Sequence, residues 1–173
     1  SEGNLKTLDA GCGNGALSYA AYKKGNKVLG ISFDTETNKR NSLFFKSIPQ
    51  DKLRFQSLNL YKLLELDETF DQIICSETLE HISQDSLVIS YFHKLLRTNG
   101  VLHLCCPNAQ HPHHNLGRTN GPEDGGHVRD GYTMESYKSL LEHNGFSIQE
   151  QFGLGSKSLV AWSETMMKIR HHF

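Results

Sequence analysis

Apolar positions in this chain fall in short runs separated by turns, and the runs alternate between two periods. Residues 5–10 (LKTLDA) form a β-type run that ends in glycines. Residues 16–24 then place Leu17, Ala20 and Ala21 on one helical face. A second strand is predicted at 27–32 (KVLGIS), a helix at 35–46 with Leu43 and Phe44 turned inward, and a third strand at 53–58. The run 70–76 (FDQIICS) is nearly all apolar, as expected of a central parallel strand. Residues 84–97 form an amphipathic helix through Leu87, Val88, Tyr91, Leu95 and Leu96, which Asn99-Gly100 should end, with glycine as a left-handed cap. A fifth strand follows at 101–106 (VLHLCC) and stops at Pro107. After an aperiodic stretch, Thr133 is placed to cap a helix, with Tyr132 and Tyr137 spaced as a hydrophobic staple. That helix should end near Asn144-Gly145. A sixth strand is expected at 146–152 and a last helix at 158–169.

Strand–helix alternation of this kind predicts one three-layer α/β domain over residues 1–173, with a mostly parallel central sheet and helices on both faces. The first strand begins almost at residue 5, so flanking pieces are expected beyond this chain. Composition fits a globular protein, with 37% apolar and 21% charged residues. A net charge of −1 and scattered lysines and arginines argue against a nucleic-acid partner. No apolar run is long enough to cross a bilayer, and no signal-peptide pattern opens the chain, so no membrane partner is expected. Cys12, Cys75, Cys105 and Cys106 sit in or beside apolar runs and form no C-x-x-C pair. They read as reduced, mostly buried thiols of a cytoplasmic protein. Oligomeric state leaves no mark in the sequence.

In such sheets, ligands bind beyond the carboxyl ends of the strands, where the strand order reverses. The turn Gly11-Cys12-Gly13-Asn14-Gly15 follows the first strand and belongs there. Its glycines let backbone approach a ligand, although a tight turn without a ligand has the same pattern. Asp9 precedes them, which suits a cationic ligand end better than a pyrophosphate. No Lys-Ser/Thr follows, which excludes a P-loop, and Ala16 stands where a dinucleotide fingerprint would continue.

These residues carry a resemblance. LDAGCGNG is similar to the first motif of the Rossmann-like S-adenosylmethionine-dependent methyltransferases. FDQIICSETLEHI and LLRTNGVLHLCCPN resemble the motifs of their fourth and fifth strands, and GHVRDGYTMESYKSLLEHNGF resembles a late segment found in many members. The resemblance implies S-adenosylmethionine as cofactor. It places contacts at Asp9, Gly11, Cys12 and Gly13, at Ser32 and Phe33, at Asn59 and Leu60, and at Ser76 and Glu77. Two positions depart from the common pattern. Ser32 stands where most members carry an acid for the ribose, so either Ser32 or Asp34 serves there. Asn59 replaces an aspartate expected near the adenine.

Glu77, Glu80 and His81 would share one face if a helix began at the end of the fourth strand. Glu-x-x-Glu-His resembles the metal motif of small-RNA 2′-O-methyltransferases and of some ubiquinone-pathway O-methyltransferases. With His127, the four would hold a divalent ion, Mg²⁺ or Mn²⁺. Without an ion, Glu77 would hold cofactor, and His81 would line the wall.

The stretch 107–131 carries His111, His113, His114, Arg118, His127, Arg129 and Asp130. Loops longer than about 15 residues inside compact domains are usually functional or disordered, and this one reads as a substrate-covering loop. The expected activity is methylation of a small-molecule acceptor, at oxygen. His81 and His127 are candidate bases, and Arg129 is available to an anionic substrate. A metal-dependent RNA 2′-O-methyltransferase and a non-catalytic cofactor-binding module are the alternatives.

Overall fold

The structure, a computed structural model, describes residues 3–110 and 122–153. Five strands form one sheet: β1 (Lys6–Ala10), β2 (Lys27–Ser32), β3 (Leu53–Ser57), β4 (Phe70–Ser76) and β5 (Leu96–Cys105). All neighbours pair in parallel, in the order β3-β2-β1-β4-β5. Among the described residues, four α-helices connect or follow them: α1 (Ala16–Lys23), α2 (Thr35–Phe44), α3 (Asp85–Leu95) and α4 (Met134–His143). Short 3₁₀ turns at Leu60–Glu65 and Leu79–His81 complete the chain.

Alternation along the strands divides the interior in two. Leu8, Ala10, Leu29, Ile31, Ile73 and Cys75 face α3 and pack with its Val88, Ile89 and Phe92. On the other face a smaller cluster joins Ala21 of α1 to Val28, Leu53 and Phe55. The α3 side holds the most completely buried large side chains, Phe70 and Phe92 among them. Each such side chain contributes about 1.5–3 kcal/mol by leaving water, so that face dominates the packing energy. The expected α/β architecture is present.

Three local expectations fail for physical reasons. Leu43 and Phe44 are 67% and 78% exposed, while Asn38 and Asn41 turn inward. The apolar packing expected of α2 comes instead from Phe45 and Ile48, just past its end. Helix α3 stops at Leu95, because Leu96 already pairs with Phe70 and lengthens β5. Asn99, at φ 63°, takes the left-handed position expected of Gly100. Asparagine tolerates that region because its short amide bonds locally. Residues 146–152 form no strand. Phe146 packs edge-on against His93 of α3, with ring centroids 5.2 Å apart, and leaves the β5 edge unpaired among the described residues.

The staple at α4 is present. Tyr132 and Tyr137 stack at 5.0 Å, and Thr133 and Ser136 form a reciprocal capping box. All four cysteines are free. No described helix is long and apolar enough to cross a membrane. The helix expected at 158–169 lies outside the described residues.

Candidate active site

Sheet order reverses between β1 and β4, so the chain segments leaving both strands border one crevice. From β1 comes Asp9, 1% exposed, accepting a 2.5 Å hydrogen bond from the Ser18 hydroxyl of α1. Burial raises its carboxyl pKa, and the Ser18 bond opposes that rise. The amides of Gly11 and Cys12 both donate to the Ile31 carbonyl at 2.9 Å, which ties the loop to the end of β2. Asn41 reaches from α2 to the Gly13 carbonyl at 2.8 Å. Gly11 and Gly13 both adopt positive φ, but for different reasons. A Cβ on Gly11 would lie 2.2 Å from Thr78 Oγ1, whereas one on Gly13 would meet nothing within 4 Å. The first glycine serves protein packing, and the second borders open space. The Cys12 thiol lies against Asn38, and burial pushes its pKa up to about 12, which disfavours the thiolate.

Ser32 ends β2 and Phe33 follows it, while Asn59 and Leu60 come just after β3. Phe33 is 76% exposed and Leu60 is buried. Asp34 turns back onto α2, accepting from the Glu36 amide at 2.9 Å and the Thr37 hydroxyl at 2.6 Å. These bonds hold its carboxyl below the ordinary range. Ser32 accepts from the Asp34 amide at 3.2 Å. Asn59 caps the Leu60–Glu65 turn by accepting from the Tyr61 amide at 2.9 Å.

At the end of β4, Ser76 pairs with Cys105, and Glu77 breaks the chain with φ 49°. The helix that would have put Glu77, Glu80 and His81 on one face does not form. A left-handed Glu77 cannot open a right-handed helix, and only Leu79–His81 makes a 3₁₀ turn. Glu77 turns instead toward Cys105, whose thiol donates to its Oε1 at 3.5 Å. Glu80 is 1% exposed, and its Oε2 has no hydrogen-bond partner among the described residues. Burial raises its pKa, Glu77 adds to the rise, and His81 and His127 oppose it. His81 Nε2 lies 3.7 Å from Glu80 Oε1, and its ring meets that of His127 edge-on at 4.6 Å. Ligand atoms of Glu80, His81 and His127 all lie within 4.8 Å of one another, a cluster that does not include Glu77. His81 Nδ1 sits 3.0 Å from the Gly126 carbonyl. A carbonyl only accepts, so Nδ1 carries the proton and a neutral His81 keeps its lone pair on Nε2, facing the cluster.

His127 belongs to an arm that returns to the sheet beside the exit of β5. Tyr132 and Pro107 close its neck with a 3.0 Å amide-to-carbonyl bond, and Ala109 donates to Tyr132 at 3.1 Å. Val128 and Arg129 donate their amides to the Glu80 carbonyl at 2.8 and 3.3 Å. Glu123 accepts from the Tyr61 hydroxyl and the Ser83 amide. The Arg129 guanidinium meets the carbonyls of Leu79 and Ser83, the Asp85 carboxylate and the Tyr132 hydroxyl. His111, His113, His114 and Arg118 lie outside the described residues.

A family model for a methyltransferase domain matches residues 2–151. The chain belongs to that methyltransferase family. It is 39% identical over 98 residues to a ubiquinone biosynthesis O-methyltransferase of Psychrobacter arcticus, covering 56% of this chain and 38% of that protein. To the mitochondrial enzyme of the same name in Mus musculus it is 28% identical over 160 residues, 87% of this chain and 43% of that one. The methyltransferase domain thus spans less than half the length of these relatives. In structure it is similar to a putative methyltransferase of Bacillus halodurans. Their TM-score is 0.73 at 19% identity, with 86% of this chain and 65% of that one covered.

Several residues that shape the strand ends around the candidate site carry no motif. Asn38 and Asn41 read as ordinary polar helix positions, yet both are buried and bond the ends of β1 and β2. Paired asparagines at i and i+3 in a helix of weak propensity were the only available signal. Thr78, Tyr61, Asp85 and Glu123 make long-range contacts for which the sequence offers none.

Proposed function

We propose that this domain transfers a methyl group from S-adenosylmethionine to a hydroxyl of a small-molecule acceptor. One observation carries the reading: the open turn at Gly13 and the Glu80–His81–His127 cluster follow the carboxyl ends of the neighbouring parallel strands β1 and β4. The fit to the cofactor is good on the donor side. Buried Asp9 supplies negative charge behind the loop, and the space over Gly13 admits a ligand at van der Waals distance. Ser32, Phe33, Asn59 and Leu60 would border the ribose and adenine, and Ser76 and Glu77 the end nearest the acceptor. When bound, S-adenosylmethionine supplies a methyl carbon on a sulfonium sulfur, which departs as a neutral thioether as the C–S bond breaks and the O–C bond forms. The chain's own work is alignment, exclusion of water and removal of the hydroxyl proton. His81 Nε2 carries the lone pair suited to take that proton, and His127 is the alternative base. Relatives named as O-methyltransferases support oxygen as the acceptor atom.

A divalent ion is the finer part of the proposal. Glu80 Oε2, which has no hydrogen-bond partner among the described residues, and two imidazoles form a donor set suited to Mg²⁺ or Mn²⁺. Glu80, His81 and His127 would hold it, and with their lone pairs on the ion the two histidines would orient the acceptor rather than serve as base. Such an ion lowers the pKa of a hydroxyl bound to it.

S-adenosylhomocysteine should bind by calorimetry while NAD does not, and labelled methyl should reach a hydroxylated aromatic such as catechol. Binding of NAD alone would overturn the reading, and cofactor binding without turnover on any hydroxylated acceptor would leave a binding module. EDTA should suppress turnover and Mn²⁺ restore it. Full activity in EDTA would remove the ion and leave the two histidines as base and wall.

A further inference from the structure

We infer that Arg129 is a positioning residue that holds His127 against His81 and Glu80, rather than a receptor for an anionic acceptor. The inference rests on the methyl-transfer reading only in giving the cluster its purpose.

His127 lies in an irregular arm, and no strand or helix fixes its ring. Two amides of the arm share one acceptor, the Glu80 carbonyl, and such a shared contact leaves rotation about that point open. The Arg129 side chain removes this freedom. Its Nη1 lies 2.7 Å from Asp85 Oδ2, 2.6 Å from the Tyr132 hydroxyl and 3.0 Å from the Leu79 carbonyl, and its Nη2 lies 3.1 Å from the Ser83 carbonyl. The Tyr132 hydroxyl itself donates to Asp85 Oδ2 at 2.7 Å, which closes a three-membered ring of partners. Asp85 is the first residue of α3, Leu79 opens the turn bearing Glu80 and His81, and Ser83 follows that turn. Tyr132 stands where the arm rejoins the exit of β5. A planar guanidinium with fixed donors therefore ties the arm, the 3₁₀ turn and α3 together, just two residues from His127.

The same contacts oppose anion binding. The charge of Arg129 is already matched by Asp85, so a second carboxylate would gain little there. The ionisable groups that act on Glu80 among the described residues are a carboxylate and two imidazoles: Glu77, His81 and His127. The geometry therefore favours an uncharged hydroxyl acceptor over a carboxylate-bearing one.

Arg129→Lys keeps the charge but loses the fork, and it can be compared with Asp85→Asn and Tyr132→Phe. Three quantities separate the possibilities: the NMR cross-relaxation between the His81 and His127 ring protons, affinity for S-adenosylhomocysteine, and kcat and KM for catechol and for 3,4-dihydroxybenzoate. Arg129→Lys should lose most of the cross-relaxation while cofactor affinity stays within about twofold. Turnover should fall about tenfold or more, equally for both acceptors, because small misplacement of a reacting group is costly. A KM increase confined to the carboxylated acceptor would overturn the inference and make Arg129 a substrate contact. Cross-relaxation and turnover unchanged from the parent would overturn it as well. Should Arg129→Lys not fold, the milder Tyr132→Phe and Asp85→Asn decide on the same readouts, and both are expected to weaken the histidine contact. If the parent domain methylates neither acceptor, the methyl-transfer reading fails, yet the cross-relaxation still reports whether Arg129 positions His127.

Discussion

The two sides of the crevice are held in different ways. On the donor side, the glycine loop follows directly from β1, and its shape is set by contacts close in space to that strand: Ile31 for its amides, Asn41 for the Gly13 carbonyl, Thr78 against Gly11. On the acceptor side, Glu80 and His81 stand on a single 3₁₀ turn, and His127 arrives from a separate arm anchored by buried Val128 and Tyr132 and held in register by polar contacts. A packed loop tolerates little change in shape, because a displaced atom meets another atom. A polar arm loses its register when a single partner is removed. Damage to the donor side should therefore appear as lost stability and lost cofactor affinity, and damage to the acceptor side as lost turnover.

The largest effect should come from Gly11→Val. A Cβ there overlaps Thr78 at φ 81°, so the cost should exceed about 3 kcal/mol, with loss of S-adenosylhomocysteine binding. Gly13→Ala is the sharper companion. Nothing in the protein opposes its methyl group, so only the left-handed backbone is penalised, by about 1–2 kcal/mol. If cofactor occupies the open space, calorimetry should still show a clear loss of affinity in this folded variant. Unchanged affinity would mean that both glycines serve the turn alone.

Asn41→Leu comes next. It removes the donor from the Gly13 carbonyl inside the α2 packing, which should cost about 1–3 kcal/mol in denaturant melts. Cofactor affinity should fall with it, while the His81–His127 contact should not change. A change in that contact would show that the two sides are not independent.

Legibility in sequence follows the same division. The five strands, the glycine turn and the cap at Thr133 were readable because each depends on residues a few positions apart. The inward face of α2 is not legible in the sequence, because Leu43 and Phe44 satisfy a helical period while Asn38 and Asn41 have partners that only the folded sheet brings near. Glu77, Glu80 and His81 suggested one helical face, and the left-handed Glu77 removed it. His81 and His127 enter the sequence reading as ligands of one ion together with Glu77 and Glu80; in the structure their rings meet edge-on near Glu80, and Glu77 stands outside the cluster. The fixation of Arg129 was not foreseen, because a basic residue in a polar loop reads the same whether it faces solvent, substrate or Asp85.

Glu123→Ala tests the outer end of the arm. It should cost about 1 kcal/mol by freeing the Tyr61 hydroxyl and the Ser83 amide, both near the surface. Faster hydrogen exchange at Ser83 should report it, with protection in β1 and β4 unchanged. Exchange that accelerates in the strands too would mean that the arm supports the sheet, and the division between the two sides would be lost.

The smallest effect is expected at Asp71, which lies at the far end of the sheet from both sides of the crevice. Its carboxylate accepts from the Lys6 amide and from the Arg97 guanidinium, each at 2.7 Å. The Lys6 bond, followed by Arg97, holds its pKa below the ordinary 3.8. A carboxyl whose folded pKa is depressed binds its proton more weakly in the folded state. Its stabilisation is therefore present above the unfolded value and is lost as pH falls through the folded one. The pair is partly exposed, with side chains 48% and 28% accessible for Arg97 and Asp71, so Asp71→Asn should cost only about 0.5–1 kcal/mol at neutral pH. Thermal melts of parent and variant should converge as the pH drops below 3.8. A gap that persists in acid would assign the effect to packing rather than charge. In either case cofactor affinity and the His81–His127 contact should be the same in both proteins. A shift in one of them would mean that the base of the sheet, and not only the loops at its carboxyl end, sets the geometry of the crevice.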